Sequence, residues 1–340
     1  GLLLNNSLEC NIWDRVFGAK NLNIEPSNHS LLITEPPLNL PPIQAEMDQL
    51  LFERYGFQAV CRTTCAQLAL RGTEADMNRT DKISRQCALV VDSGFSFSHT
   101  TPVFDGTPLN YAVRRISAGG KILTNYLKEV LSFRSINLND ETHIMNDIKH
   151  RLCYTSLDFE NELAEYKKKR NPLWRRFVLP DGVNRTRGYV IGGPDDPGAD
   201  AKNDSENSIV ALKNERIVIP EILFHPSDVA INEAGLAETL VRSVEASPPE
   251  MHRMLYKNIL ICGGNCLFKN LRERLELEVR QLAPSEFSVR VFCDEDPIVT
   301  TWRGASMFAA QSNFLDFCVT KSEYQEGGSD YCHRKFQGIS

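Results

Sequence analysis

The amino-acid sequence predicts an α/β protein in which two lobes enclose a ligand. Strand-like apolar runs alternate with segments of helical spacing, an order typical of α/β folds. Two of the apolar runs, residues 88–91 and 259–262, end in short turns that contain glycine, and they lie far apart in the chain. Ligands of such proteins bind above strand ends, so two distant junctions of this kind predict a site between two lobes.

The first junction is a strand–turn–strand unit. Residues 88–91 form an uninterrupted apolar run, as in a strand that is buried on both faces. Asp92-Ser93-Gly94 makes the turn, and aromatic or His residues then alternate with Ser and Thr over 95–100, the period of a second strand. Pro102 is predicted to close this unit.

Helices are predicted on both sides of this unit. Apolar residues recur at helical spacing over 43–55, 121–132 and 141–153. In the last of these segments the apolar residues repeat every four positions, and Lys149 lies beside that stripe.

The second junction joins the strand 259–262 to Gly263 and Gly264, and a helix that carries Phe268 is predicted to follow. A third glycine junction, around Gly304, is predicted to precede another apolar helix.

Composition places the chain among ordinary globular proteins. It has 340 residues, room for about two domains, with 42% hydrophobic and 24% charged residues. Its net charge of −6 argues against a protein that binds nucleic acid over its whole surface, although a local DNA contact stays open.

Several of the ten cysteines lie in apolar runs, which favours buried free thiols in a reducing compartment. We see no signal peptide and no run of about 20 apolar residues, so we expect no membrane association.

The two junctions could bind a phosphate compound. A carboxylate at a strand end, such as Asp92, can hold a metal ion through water, and the N–H groups of the turn after it can form a concavity for phosphate oxygens. Gly263 and Gly264 allow the backbone to approach a ligand closely. Each junction alone is a weak signal, but together they predict a nucleotide between two lobes.

A series of segments, in order along nearly the whole chain, resembles the actin family. The segments are LLITEPP (31–37), VDSGFSFSHTTP (91–102), IMNDIKHRLCY (144–154), LPDG (179–182), RIVIPEILF (216–224), CGGN (262–265) and HRKF (333–336). Residues 219–228 and 259–268 resemble the nuclear members of histone-exchange chromatin remodellers more than actin itself.

This resemblance implies the two-lobed fold of the actin, sugar-kinase and Hsp70 type around a central nucleotide cleft, with the first outer subdomain incomplete. Residues 1–82 and 313–340 would form subdomain 1, 83–118 and 232–312 subdomain 3, and 119–231 subdomain 4, with a flexible acidic loop near 192–208.

The resemblance also implies the nucleotide contacts, and the departures from it are informative. The matching positions are Asp92, Ser93, Gly94, Lys149, Gly263, Gly264 and Phe268, with His99 as a further match. The resemblance places the family's first phosphate hairpin before residue 1, outside this sequence.

At the second hairpin Phe95 replaces an acidic residue and Ser96 a glycine. Cys65 stands where the family has a water-positioning Gln, and His150 replaces a Glu that meets the ribose. We therefore expect weak or no ATP binding and no catalytic residues. The pairs Cys61/Cys65 and Cys262/Cys266 are spaced more widely than most zinc knuckles, so we expect no structural metal.

The function that the resemblance implies is that of a non-catalytic scaffold subunit of a remodeller that exchanges canonical for variant histone dimers. Its partners would be the motor ATPase, small accessory subunits and, as a further contact, nucleosomal DNA; its location would be the nucleus, with the cytoplasm second. Residues 167–170, the strongest basic cluster, are a candidate DNA contact, a nuclear signal or a solvated helix end. The alternatives are an ATPase that uses Asp92 and His99, and a filament-forming cytoskeletal relative, of which we expect no filament.

Overall fold

The computed structural model describes residues 2–73, 83–84, 86–134, 138, 140–168, 172–181, 183, 186–194, 196 and 209–337. The strands, in chain order, are β1 (Ser30–Glu35), β2 (Ala59–Thr64), β3 (Cys87–Ser93), β4 (Ser98–Phe104), β5 (Thr107–Pro108), β6 (Arg114–Ile116), β7 (Arg175–Val178), β8 (Tyr189–Val190), β9 (Ile209–Leu212), β10 (Ile259–Cys262), β11 (Val291–Cys293) and β12 (Val319–Thr320).

The α-helices, in the same order, are α1 (Asn6–Phe17), α2 (Pro41–Gln49), α3 (Cys65–Gly72), α4 (Gly120–Arg134), α5 (Thr142–Leu152), α6 (Phe159–Tyr166), α7 (Glu215–Glu221), α8 (Leu236–Glu245), α9 (Pro249–Lys257), α10 (Leu271–Leu282), α11 (Thr300–Ala309) and α12 (Lys321–Gln337). Within the described ranges, none of the helices is long and apolar enough to cross a lipid bilayer.

The first lobe is built on the sheet β1-β2-β12, in which β1 and β2 are parallel. Helices α2 and α12 pack together over an apolar core that contains Phe52, Val60 and Phe336. At the centre of this lobe the buried guanidinium of Arg62 lies 3.1 Å from a carboxylate oxygen of Glu35 and 2.5 Å from one of Asp48. The ion cluster therefore joins β1, β2 and α2.

The second lobe is built on the sheet β11-β10-β3-β4-β5, with β6 also paired to β4. Strands β3 and β10 are parallel neighbours, and all four residues of β10 are buried. The continuous apolar runs at 88–91 and 259–262 are therefore central strands, as predicted. A third sheet, β8-β7-β9, lies with α4 to α7 in the segment between the two halves of this lobe.

Three local predictions were wrong, those for Pro102, Gly304 and the helix of Phe268. Pro102 does not close the hairpin, because β4 continues to Phe104. The carbonyl of Pro102 accepts from the N–H of Leu109 on the β5 side. On that same side β5 ends opposite Val103 and β6 begins opposite Thr100. The nitrogen of Pro102 therefore faces a gap between two short strands, where no ladder hydrogen bond is needed.

The second wrong prediction concerns Gly304, which lies inside α11 rather than before a helix. A Cβ at Gly304 would lie 1.7 Å from the carbonyl oxygen of Leu68, and a Cβ at Gly72 would lie 2.0 Å from that of Thr300. Helices α3 and α11 thus cross backbone to backbone at these glycines. Because α3 follows β2 of the first lobe and α11 follows β11 of the second, this crossing joins the two lobes.

The remaining helices largely agree with those predicted from the spacing of apolar residues in the sequence. Helices α4 and α5 match the segments 121–132 and 141–153, and α2 continues through a π-helical turn (Leu50–Arg54) as 43–55 predicts. The helix expected to carry Phe268 begins only at Leu271, after a 3-10 turn (Gly264–Leu267). All ten cysteines are free and most are buried, as their apolar contexts predicted.

Most of the loop predicted near 192–208, residues 195 and 197–208, lies outside the described residues, as do Gly182, Lys169 and Arg170. The subdomain boundaries given above stay predictions.

Candidate nucleotide cleft

The two glycine junctions meet at the ends of the parallel strands β3 and β10. Cys262 pairs with Asp92, so that Ser93 and Gly94 continue beside Gly263 and Gly264. Gly263 has φ +96, and a Cβ there would lie 2.4 Å from the carbonyl oxygen of Ser93 and 3.0 Å from Oδ1 of Asp92. Backbone conformation and space both require glycine at this position. Residues from two distant parts of the sequence therefore form one site.

Asn265 fixes the turn of the hairpin in place. Its Nδ2 donates to Oγ of Ser93 at 3.1 Å and to the carbonyl of Gly94 at 2.9 Å. The Ser93 hydroxyl also lies 2.9 Å from that of Ser98, and the Gly94 N–H donates to the carbonyl of Phe97. Sequence reasoning missed Asn265, although its place directly after the glycine pair is a usable signal. The polar groups of this turn are thus largely engaged within the protein.

The start of α4 packs against the other side of the same hairpin. A Cβ at Gly119 would lie 2.6 Å from the carbonyl oxygen of Phe95, and Gly120 donates its N–H to the carbonyl of Gly94. The Phe95 ring lies over Gly120, with 56% of the residue exposed. An apolar ring therefore lies at the position where the resemblance predicts an acidic residue.

Asp92 is in contact with a residue of the first lobe. The Cys65 thiol, at the first position of α3, lies beside the Asp92 carboxylate and within reach of a hydrogen bond to it. Loss of hydration raises the pKa of Asp92 to about 6, and this hydrogen bond opposes the rise. Burial, together with the nearby Asp92 charge, raises the pKa of Cys65 to about 12. The thiol is therefore protonated at neutral pH and is not a nucleophile.

His99 lies opposite Asp92 in the β3–β4 ladder and is only 5% exposed. Burial, with a contribution from the Arg115 charge, lowers the pKa of His99 to about 4, so the imidazole is neutral at pH 7. In the part of the chain that the structure describes, its Nε2 has no hydrogen-bond partner. The ring is available as a hydrogen-bonding group but is too weak a base to be charged.

Lys149 is buried at the base of the cleft. Its Nζ donates to the carbonyl of Gly120 at 3.1 Å and to Oγ1 of Thr124 at 2.9 Å, and the residue is 2% exposed. Loss of hydration lowers the pKa of Lys149 to about 8. The ammonium group already satisfies two of its three donors on α4, which leaves one for a ligand.

The last two predicted nucleotide contacts, Phe268 and Gly264, differ in how far they are exposed to solvent. Phe268 is 7% exposed and belongs to the core of the second lobe. A Cβ at Gly264 would meet no atom within 4 Å, so the backbone there faces open space. The part of the cleft around Gly264 and Lys149 thus has open backbone and a remaining hydrogen-bond donor, whereas the part around Asp92 carries Phe95 and the Cys65–Asp92 contact.

Two further features bear on binding chemistry. Among the residues that the structure describes, no group of three or more His, Cys, Asp or Glu side chains is placed to hold a metal ion. In the basic cluster, Lys167 and Lys168 are exposed at the end of α6, and the Lys168 ammonium pairs with the Glu165 carboxylate at 2.5 Å.

The fold and this site define a class of protein. Two α/β lobes are joined by a crossing of α3 and α11, and the ends of β3 and β10 meet beside the start of α3. This is the architecture of an α/β clamp with a nucleotide-type cleft between its lobes.

Comparison with known proteins identifies the family. The family model described as Actin matches residues 1–337, so this chain belongs to the actin family, and the expected actin fold is confirmed. Actin-related protein 6 of Arabidopsis thaliana is 41% identical over 354 residues, covering 99% of this chain and 84% of the plant protein. Actin-related protein 6 of Drosophila melanogaster is 36% identical over 343 residues, covering 100% of this chain and 83% of the fly protein. The similarity to actin-related members over nearly the whole chain supports the coarser functional expectation, that of an actin-related protein.

Proposed function

We propose that this chain is a non-catalytic scaffold subunit of a nuclear chromatin-remodelling complex that exchanges canonical for variant histone dimers. The resemblance of residues 219–228 and 259–268 to nuclear family members supports the type of complex. In this proposal the chain is a rigid body held by the motor ATPase and by small accessory subunits, with nucleosomal DNA as a further contact.

The contact between Cys65 and Asp92 carries the non-catalytic part of the proposal. Hydrolysis of a nucleotide requires a group that orients the attacking water, and a protonated thiol already committed to a carboxylate is a poor one. Phe95 removes a polar contact at the phosphate position, and Ser96 adds a Cβ where the backbone would have to approach phosphate closely. The core strands and glycine contacts that set the fold remain in place, as expected of a protein that is used for its shape.

Weak binding of ATP fits the adenosine side of the site better than the phosphate side. Gly264 faces open space and Lys149 has a remaining donor, so these residues would hold base and sugar. Asp92, Ser93 and Gly94 would hold phosphate, but their partners within the protein compete for that role. A bound nucleotide would in this case stabilise the closed arrangement of the lobes without being consumed.

The test is affinity capture of the tagged full-length protein from nuclei at native abundance. We expect recovery of a large motor ATPase together with histone-binding subunits. The Asp92→Ala variant should recover the same set, because a scaffold does not depend on the chemistry of the cleft. Absence of a motor ATPase in the capture of the parent protein, or its loss in the variant alone, would overturn the proposal.

The filament-forming alternative has its own measurement. Filaments require complementary faces on each copy of the chain. We expect light scattering of the purified protein to stay flat as concentration and salt are raised. A rise with a critical concentration would favour the cytoskeletal alternative.

A further inference from the structure

A groove on the second half of the molecule has an apolar floor and an acidic rim. Two cavities, of about 600 Å³ and about 610 Å³, share Leu157 and Asp158 and so form one continuous depression. Helix α6 lines both cavities, and α10 lines the first. The depression is separate from the nucleotide cleft, because its lining includes none of the residues predicted to contact nucleotide.

The floor of this groove exposes leucine side chains. Leu157, in the loop before α6, is 47% exposed, and Leu277 of α10 is 50% exposed. Both line the first cavity, beside the partly buried Phe159. Apolar side chains grouped in a concave surface favour an occupant that inserts an apolar residue.

The rim of the groove is acidic. Six carboxylates line the two cavities, against one guanidinium and one imidazole: Asp158, Glu160, Glu162, Glu165, Glu221 and Glu278. Of these, Glu221 is buried and Glu165 pairs with Lys168, so the exposed acidic rim consists mainly of Asp158, Glu160 and Glu162. The guanidinium, of Arg274, is already paired with both Glu221 and Glu278. A segment with Lys or Arg residues therefore complements the rim, whereas the phosphates of a nucleic acid would be repelled.

The groove is held open by buried hydrogen bonds. Arg274 donates from Nη2 to Oε1 of Glu221 at 2.8 Å and from Nη1 to the carbonyl of Ser156 at 2.5 Å, which ties α10 to the loop. The N–H of Thr155 donates to the carbonyl of Lys269 at 3.0 Å. Because these contacts fix the loop next to Leu157, a partner would bind a preformed surface and lose little entropy in ordering it.

We propose that this groove binds a basic segment of a partner protein, in which Lys or Arg residues flank an apolar side chain that packs on Leu157 and Leu277. The biological use of this binding rests on the scaffold function proposed above, but the binding itself does not. A second copy of this chain is a less suitable occupant, since the chain carries a net charge of −6.

The probe is a short fluorescein-labelled peptide in which arginines flank a central leucine, measured by fluorescence anisotropy with the full-length protein. Glu160→Lys should weaken binding by about fivefold or more, because it reverses an exposed rim charge. The matched control is Glu286→Lys, which changes the net charge equally at an exposed position away from the groove and should change binding less than about twofold.

The Leu157→Glu variant distinguishes binding to the apolar part of the groove from general electrostatic attraction. It adds a negative charge, so attraction alone predicts tighter binding, whereas loss of the apolar contact predicts weaker binding by about tenfold. A peptide with glycine in place of the leucine should bind the parent protein correspondingly less. Thermal unfolding of each variant, with unchanged midpoints expected at these exposed positions, shows that the fold is intact.

Three results would each overturn the inference. They are equal weakening of peptide binding by Glu160→Lys and Glu286→Lys, tighter binding to the Leu157→Glu variant, and no measurable binding of the peptide to the parent protein. Self-association of the parent protein in sedimentation, lost in Leu157→Glu, would overturn it in favour of a second copy. Turnover of ATP would contradict the proposed function and leave the peptide result unaffected.

Discussion

At the scale of single residues, the chemistry of the cleft depends on the contact of Asp92 with Cys65. A carboxylate whose pKa lies near 6 binds its proton more tightly in the folded protein than in the unfolded chain, where a value near 3.8 applies. The ionised form therefore costs folding free energy. Such a cost is common at sites that once served, or still serve, a charged ligand.

The stability of the protein should reflect this cost in its pH dependence. As pH rises from about 4 to about 6, the unfolded state releases the Asp92 proton first, so this residue lowers the free energy of unfolding over that range. Asp92→Asn should therefore be more stable than the parent protein at pH 7 and no more stable at pH 4. Urea unfolding at the two pH values measures this difference, and an equal difference at both would contradict the raised pKa.

The two adjacent glycines of the second junction offer a matched pair of substitutions. Gly263→Ala places a Cβ 2.4 Å from the Ser93 carbonyl oxygen at φ +96, and we expect it to lower the free energy of unfolding by about 2 kcal/mol or more. Gly264→Ala enters open space and should change it by less than about 1 kcal/mol. Chemical unfolding of both variants is the measurement, and equal losses would show that the strand ends are not as close as described.

At the scale of secondary-structure elements, the crossing of α3 and α11 brings the two lobes into backbone contact. Its backbones approach so closely at Gly72 and Gly304 that no side chain fits between them. A motion of one lobe relative to the other must turn about this crossing or disrupt it.

Gly304→Ala tests the crossing. The new Cβ would lie 1.7 Å from the Leu68 carbonyl oxygen, so the helices must separate, and we expect a loss of about 3 kcal/mol in the free energy of unfolding. The control is Ser306→Ala, an exposed position on the same helix, which should be neutral or slightly stabilising. A stable Gly304→Ala variant would mean that the helices are not in backbone contact.

The same elements show what can be predicted from sequence. The sequence predicts strands β3 and β10 from their continuous apolar runs, and helix α5 from apolar residues that repeat every four positions. Both patterns indicate burial from neighbouring residues alone. The predictions for Pro102 and Gly304 are wrong. The local sequence indicates a break in regular structure at each position, but contacts with distant segments allow the strand β4 and the helix α11 to continue. The contact of Cys65 with Asp92 joins two lobes, and no local pattern reports that approach.

At the scale of the whole molecule, the chain keeps the framework of a nucleotide clamp. Both lobes have buried central strands, and the lobes are joined by two helices that cross at glycine. An acidic groove lies elsewhere on the surface. Under the proposed function, the role of the chain depends on its shape and its surfaces rather than on chemistry in the cleft.

Single-turnover incubation of the purified protein with labelled ATP and Mg²⁺ tests this account most directly. The account predicts that phosphate release by the parent protein equals that of Asp92→Ala within error. Release that clearly exceeds the variant's would show that the cleft is a working catalytic site and would contradict the account.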